Sequence, residues 1–223
     1  MNNLKKWLLL LVITAAATSI ANAQTLEQAP TYSSRTGTGK VKINLLYNYS
    51  LPLGTFKNDL IKNNSPRGFS ADVLYWFKPQ WGVGGSFGFQ DYYQKTPRSV
   101  YKLSDGSDIS AVLTHSVQTI PIVAKAMYMP MAEKASIIQP YLSAGAGVNL
   151  VNFSEYLGEF SSAGKTNAKF TAQAGAGVKI RLGKNDKAGF LLGATYNYTP
   201  YNQYDIKNIS AANLQAGLQF KLK

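Results

Sequence analysis

From Ala211 to Lys223 the chain alternates without a break. Ala212, Leu214, Ala216, Leu218, Phe220 and Leu222 fall on one side, and Asn213, Gln215, Gly217, Gln219, Lys221 and Lys223 on the other. A period of two sustained over this stretch specifies a β-strand with one apolar face and one polar or small face. Such a strand needs a neighbour along each edge. Its apolar face must meet either a protein core or a lipid bilayer.

The same period recurs upstream. Val41–Tyr49 sets Val41, Ile43, Leu45, Tyr47 and Tyr49 against Lys42, Asn44, Leu46 and Asn48. Gly68–Phe77, Trp81–Tyr93, Ser116–Met129, Pro140–Val151, Lys169–Leu182 and Phe190–Tyr198 repeat the pattern, which makes eight strands with the terminal one. The uncharged stretch 135–154 is too regularly interrupted by glycine, serine and asparagine to be a membrane helix. Pro121 cannot donate to a ladder, so a bulge is expected in the fourth strand. The connections alternate between long (50–67, 94–115, 152–168, 199–210) and short (78–80, 130–138, 183–189). Outer-membrane barrels have short periplasmic turns and longer outer loops, with both chain ends on the periplasmic side.

The two faces decide where the apolar side points. Glycine recurs on the polar face, at Gly82, Gly84, Gly88, Gly145, Gly147, Gly175, Gly177, Gly193 and Gly217. On a solvent face glycine only weakens a strand, whereas inside a narrow barrel it makes room for long polar side chains. The apolar face is therefore expected to meet lipid. The aromatics agree. Tyr49, Phe69, Tyr93, Phe170, Tyr196 and Tyr198 fall near the outer ends, and Tyr75, Phe77, Trp81, Tyr128, Phe190 and Phe220 near the periplasmic ends. Two girdles around an aliphatic band are what membrane interfaces select.

The N-terminus supplies the address. Lys5 and Lys6 precede the apolar run Trp7–Ile13, and Ala21-Asn22-Ala23 follows. This pattern reads as a secretory leader over residues 1–23, cleaved before Gln24. Residues 24–40 are polar and aperiodic and read as a flexible segment, which leaves 41–223 for one barrel domain. The chain has no cysteine, so disulfides, thiolate metal sites and lipidation at a leader cysteine are excluded. Net charge is +12, and +10 without Lys5 and Lys6. Export and the lack of a long Lys/Arg run argue against a nucleic-acid partner, while attraction to anionic lipid headgroups fits the charge.

On these residues the chain resembles the small outer-membrane β-barrel proteins of Gram-negative bacteria, of the OmpX or OmpA-transmembrane-domain kind, in a form common in Bacteroidetes. The segments that carry the resemblance are YSLPLGTF (49–56), PYLSAGAGVNL (140–150) with AQAGAGVKI (172–180), and the terminal alternating strand. It covers about residues 41–223. It implies an eight-stranded antiparallel up-and-down barrel in the outer membrane, inserted by the barrel-assembly machinery, monomeric, and in contact with outer-membrane lipid and lipopolysaccharide. Such proteins often end in an aromatic residue that the machinery reads. This chain ends Phe220-Lys221-Leu222-Lys223, so Phe220 would serve from an offset position.

Catalysis has a candidate because lipid A deacylases and palmitoyl transferases use this kind of fold. His115 is the chain's one histidine, and Ser116 follows it. A Ser–His pair oriented by Asp91 or Glu155 could deacylate lipid. Neighbours on a strand face opposite ways, however, so a solvated loop histidine is the expectation. Gly158–Thr166 nearly matches a phosphate-binding loop but has one residue too many between its glycines. No grouping suggests a metal, and no cofactor is expected. The lumen is more informative. Lys42, Lys125, Lys179, Arg181 and Lys221 are expected to face inward at the periplasmic end, with Asp72 the one acid on that face, nearer the outer end. They would form either a packed polar plug with Gln173, Gln215, Gln219, Tyr141 and Trp76, or a narrow anion-preferring passage. The functional expectation is a non-catalytic outer-membrane barrel with a structural or surface-interaction role through loops 50–67 and 94–115. The alternatives are a small-solute channel and a lipid-A-modifying enzyme.

Overall fold

A computed structural model describes residues 40–102, 108–134, 136–157, 160–162, 166–183, 186–203 and 206–222. The leader and nearly all of the flexible segment expected at 24–40 lie outside these residues, as does most of the near-match to a phosphate loop. Alternation becomes strand wherever it was read: β1 (Lys40–Leu53), β2 (Ser65–Trp76), β3 (Trp81–Lys95), β6 (Leu113–Tyr128), β7 (Ile138–Leu157), β9 (Thr166–Leu182), β10 (Ala188–Gln203) and β11 (Ile206–Lys221). Each of these pairs antiparallel with both neighbours. The ring closes where β11 meets β1, from Lys42↔Lys221 to Leu53↔Ser210, and where β6 meets β7. Three short strands remain among the described residues. β4 (Ser99–Lys102) and β5 (Asp108–Ala111) form a separate hairpin, and β8 (Phe160–Ser162) pairs with the end of β7.

The faces divide as the period requires. Asn44, Ser70, Asp72, Thr119 and Lys179 are buried inside, while Leu45, Tyr47, Phe69, Val73 and Ile122 are each about half exposed on the outside. Inside, glycine sets the bore. A Cβ on Gly147 or Gly217 would stand 2.1 and 2.0 Å from a carbonyl oxygen of the adjacent strand. A Cβ on Gly177 or Gly193 would strike the Tyr141 hydroxyl at 2.6 and 2.4 Å. Tyr141 therefore lies flat across a floor that only glycine can provide.

Two expectations are corrected. The first is the bulge at Pro121, which is not formed. Pro121 pairs in register with Asn149 of β7. On the β3 side, Phe87↔Ile122 and Gln90↔Thr119 belong to one register, and only the pairs between them are missing. The missing N–H thus costs bonding on one side alone. The ring sits over Gly88, where its Cγ would be 3.1 Å from a Cβ. A glycine opposite makes an inserted residue unnecessary. The second correction concerns the long connections, which are largely strand. β10 and β11 stay paired out to Gln203↔Ile206, so 199–210 is a hairpin end. β7 spans 20 residues, about twice what crosses a bilayer as a tilted strand. The barrel wall therefore rises well past the lipid at the loop end. Residues 50–67 hold a π-helical turn, Phe56–Leu60, which folds back over the bore.

Candidate functional site

The lumen is filled in layers. At the end bearing the short turns, Leu46, Leu74, Trp76, Met127, Tyr141 and Leu191 form an apolar layer. At the loop end, Phe56 and Ile61, both fully buried, pack with Tyr92, Val117, Phe153 and Tyr201. Phe56 meets the Tyr92 ring edge-on at 5.0 Å. Between the layers lies a polar zone with a cavity of about 40 Å³, bordered by Asn48, Gln90, Thr119, Asn149, Thr195 and Gln215. At about 10–15 Å³ per water centre, this is room for about three waters.

Two ion-pair clusters organise the polar side chains. In the first, Lys125 Nζ of β6 donates to Asp72 Oδ2 of β2 at 2.9 Å, with both side chains almost wholly buried. Asn44 Nδ2 donates to the same oxygen at 3.0 Å, and Gln219 Nε2 donates to Asn44 Oδ1 at 2.8 Å. This string links β6, β2, β1 and β11 across the bore, passing the small residues Gly84 and Ser86 of β3. In the second, Asp186 of the β9–β10 turn accepts from Lys42 at 3.1 Å and from Lys179 at 2.5 Å. Asp186 has φ +49°, a left-handed conformation that Asp tolerates better than most residues and that turns its carboxylate inward. Burial pushes the pKa of this carboxyl up, but the ammonium groups of Lys42 and Lys179 outweigh burial and hold it below the usual carboxylate value. Lys42 also lies 4.8 Å from the centre of the Trp76 ring.

The structure therefore brings Lys42, Lys179 and Asp186 together, and Asp72 with Lys125. Lys221 stands at the turn-end rim opposite Lys42, its N–H donating to the Lys187 carbonyl at 2.9 Å. Arg181 of β9 is partly buried, its N–H donating to the Ile137 carbonyl at 2.9 Å. Asp72 is not set apart from the bases, as expected from alternation, because Lys125 reaches it. Asp186 was not expected at all. Its signal was a turn of Gly183-Lys184-Asn185-Asp186-Lys187, short enough to hold an acid over the mouth. The Phe56–Ile61 plug was also not read. Its signal is three apolar residues, Phe56, Leu60 and Ile61, within the otherwise polar stretch that follows Gly54.

The catalytic candidates are not assembled. His115 Nε2 lies 3.5 Å from Glu155 Oε2 and its ring stacks on Phe153 at 5.9 Å. Ser116 Oγ donates instead to Asp91 Oδ1 at 3.3 Å, on the opposite face of β6. The histidine and the serine each have a carboxylate, and neither has the other. Among the described residues no group of three His, Cys, Asp or Glu could hold a metal ion.

Comparison with known proteins follows the architecture. No curated protein matches the chain. Among solved structures it is similar to Ail, the attachment invasion locus protein of Yersinia pestis, in complex with the heparin analogue sucrose octasulfate, at 19% identity and a TM-score of 0.44, over 82% of this chain and 100% of that one. It is similar to Neisserial surface protein A at 17% identity and a TM-score of 0.46, over 82% and 96%. It is similar to OprG from Pseudomonas aeruginosa at 16% identity and a TM-score of 0.48, over 83% and 96%. The family model described as the outer membrane protein beta-barrel domain matches residues 9–220, so this closed eight-stranded barrel belongs to that family and is a protein of the outer membrane.

Proposed function

We propose that the protein is a non-catalytic, monomeric barrel that anchors a cell-surface structure, with a role in envelope integrity or surface contact. The observation that supports this best is a bore stopped by apolar side chains at both ends, beneath a wall that rises past the lipid into the β4–β5 hairpin. In this reading residues 1–23 are a cleaved leader and the short turns are periplasmic. The barrel-assembly machinery reads Phe220 from its offset position. The basic, aromatic-girdled wall sits among outer-membrane lipid and lipopolysaccharide, and the extended loop end meets a surface partner.

The channel reading keeps one argument, the basic side chains Lys42, Lys125, Lys179, Arg181 and Lys221 on the inner face. Two of them are buried against acids, which leaves less uncompensated charge for passing anions. The test is to refold the protein into bilayers containing native lipopolysaccharide and to measure conductance and lipid A mass on one sample. The expected result is neither steady conductance nor a change of lipid mass. Conductance whose anion preference is reversed by Lys125→Glu or Arg181→Glu would establish the passage instead. A lipid A mass change lost in His115→Ala would establish the enzyme.

A further inference from the structure

At the loop-end rim, on the outer surface of the wall, an open-sided hollow of about 440 Å³ is bordered by Tyr49, Asn64, Ser65, Arg67, Asp91 and Tyr93. A local fault in the ladder makes it. Asn48 pairs with Gly68 and Ser50 with Ser65, so one residue of β1 faces two of β2, Pro66 and Arg67. β2 and β3 also part beyond Gly68↔Gln90. Side chains hold the parted edges: Gln90 Nε2 donates to the Ser65 carbonyl at 3.1 Å, and Gln94 Oε1 accepts from the Lys62 and Asn63 N–H groups at 3.2 and 3.3 Å. The fault is therefore a built feature of the rim.

Its chemistry is mixed and directional. The Arg67 guanidinium lies 5.5 Å from the centre of the Tyr93 ring and donates to Asp91 at 3.3 Å, while 62% of its side chain is exposed. That leaves a positioned cation with N–H donors to spare. Exposed Lys62 and Lys95 flank the same rim. Asn64 and Tyr49, hydrogen-bonded at 3.3 Å, add neutral donors and acceptors on the facing wall. Just below, on the lipid side, Tyr47 and Phe69 are about half exposed, and Phe69 stacks on Phe89 at 5.8 Å. The Tyr47 hydroxyl donates to the Pro66 carbonyl, which ties this apolar platform to the hollow.

We propose that the hollow binds the phosphorylated sugar head of an outer-leaflet glycolipid of the lipid A type. Its phosphate meets Arg67, its hydroxyls meet Asn64, Tyr49 and Asp91, and its acyl chains lie along Tyr47 and Phe69. The volume lies in the range of about 300–1,000 Å³ typical of small-ligand sites, more than a bare phosphate needs. The inference rests on the loop end facing the outer leaflet, as in the function proposed above.

The test uses refolded protein in symmetric phosphatidylcholine vesicles doped either with bis-phosphorylated lipid A or with phosphatidylglycerol, bound lipid being counted by native mass spectrometry. Arg67→Glu is expected to lower lipid A affinity about tenfold, equivalent to about 1.4 kcal/mol. Asn64→Leu is expected to lower lipid A binding and leave phosphatidylglycerol binding unchanged, and inorganic phosphate is not expected to compete. Both side chains are exposed, so a heat-modifiable barrel should survive each change. Unchanged lipid A binding in folded Arg67→Glu overturns the site. So does a loss shared equally by both lipids with no effect of Asn64→Leu, since that is charge attraction alone. Orientation is tested separately by labelling Ser99→Cys with a maleimide on intact cells, which the absence of native cysteine permits. Failure there refutes the outward-facing loop end, while the symmetric vesicles still report on the hollow.

Discussion

Lys125→Met removes one half of the buried pair with Asp72. Among the described residues the carboxylate would then keep the Asn44 amide at 3.0 Å as its one donor to Oδ2, while its Oδ1 has no partner. Asp72 has no exposed surface, so water cannot replace the lost ammonium without reshaping the layer. Breaking a buried pair from one side costs about 3–5 kcal/mol, whereas removing both charges together is often nearly neutral. Lys125→Met and Asp72→Asn should therefore each cost about 3–5 kcal/mol, and the double variant should lie within about 1–2 kcal/mol of the parent. The coupling would then be about 4 kcal/mol or more, above the roughly 0.5–3 kcal/mol usual for contacting residues, because both charges are desolvated. The assay is urea unfolding of vesicle-inserted protein, followed by the heat-modified shift in electrophoretic mobility. With a slope of about 2 kcal/mol per molar urea, each single change should lower the midpoint by about 2 M at unchanged slope. Single variants that each cost under about 1 kcal/mol, or a double variant equal to the sum of the singles, would refute the reasoning.

Three further outcomes are expected. Asp186 is ionised in folded and unfolded chains near neutral pH, and its folded value is depressed, so its contribution is complete above about pH 4. As pH falls below this the unfolded chain takes up the proton first and the contribution is lost. Asp186→Asn should cost about 1–3 kcal/mol at pH 7 and flatten the acid limb of a stability–pH curve. Gly193→Ala places a Cβ 2.4 Å from the Tyr141 hydroxyl and should cost about 1–3 kcal/mol, partly recovered in combination with Tyr141→Phe, as read by the same urea midpoints. Deleting residues 211–223 removes every partner of β1 from Lys42 to Pro52 on that edge, together with β10's partners from Ala188 to Asn197. It should abolish the heat-modifiable band, and recovery of a folded barrel without those residues would contradict the closure.

What could be read from the sequence is what two-sided solvation writes into it. A strand with lipid on one side and a packed lumen on the other must alternate, so alternation alone places Val41–Tyr49 and Ala211–Leu222 on the faces they take. Where the wall leaves the lipid that constraint ends. Thr199–Gln203 and Asn152–Leu157 no longer alternate apolar with polar, yet both stay in strand: Asn152–Leu157 keeps the register of the paired segment below, and Thr199–Gln203 stays paired with β11 across a one-residue shift between Pro200 and Gln203. Their composition alone reads as loop. Pro121 shows the converse. The local rule demanded a bulge, and the partner Gly88, distant in sequence, removed the need for one.

The lumen charges were half legible for a related reason. Alternation tells which face a residue takes but neither its height nor which strand it can reach. Asp72 and Lys125 lie on strands separated by β3, and their meeting depends on register and on the small side chains of Gly84 and Ser86 between them. Asp186 belongs to no strand, so no periodicity could place it in the bore. A basic inner face counted from sequence therefore overstates the charge that a passing solute would meet. Of the five bases assigned to the lumen, Lys42, Lys125 and Lys179 are each bonded to a carboxylate. The apolar layers above and below the polar zone weigh in the same direction, because a solute would have to displace Phe56 or the Trp76–Tyr141 layer before the charges could select it.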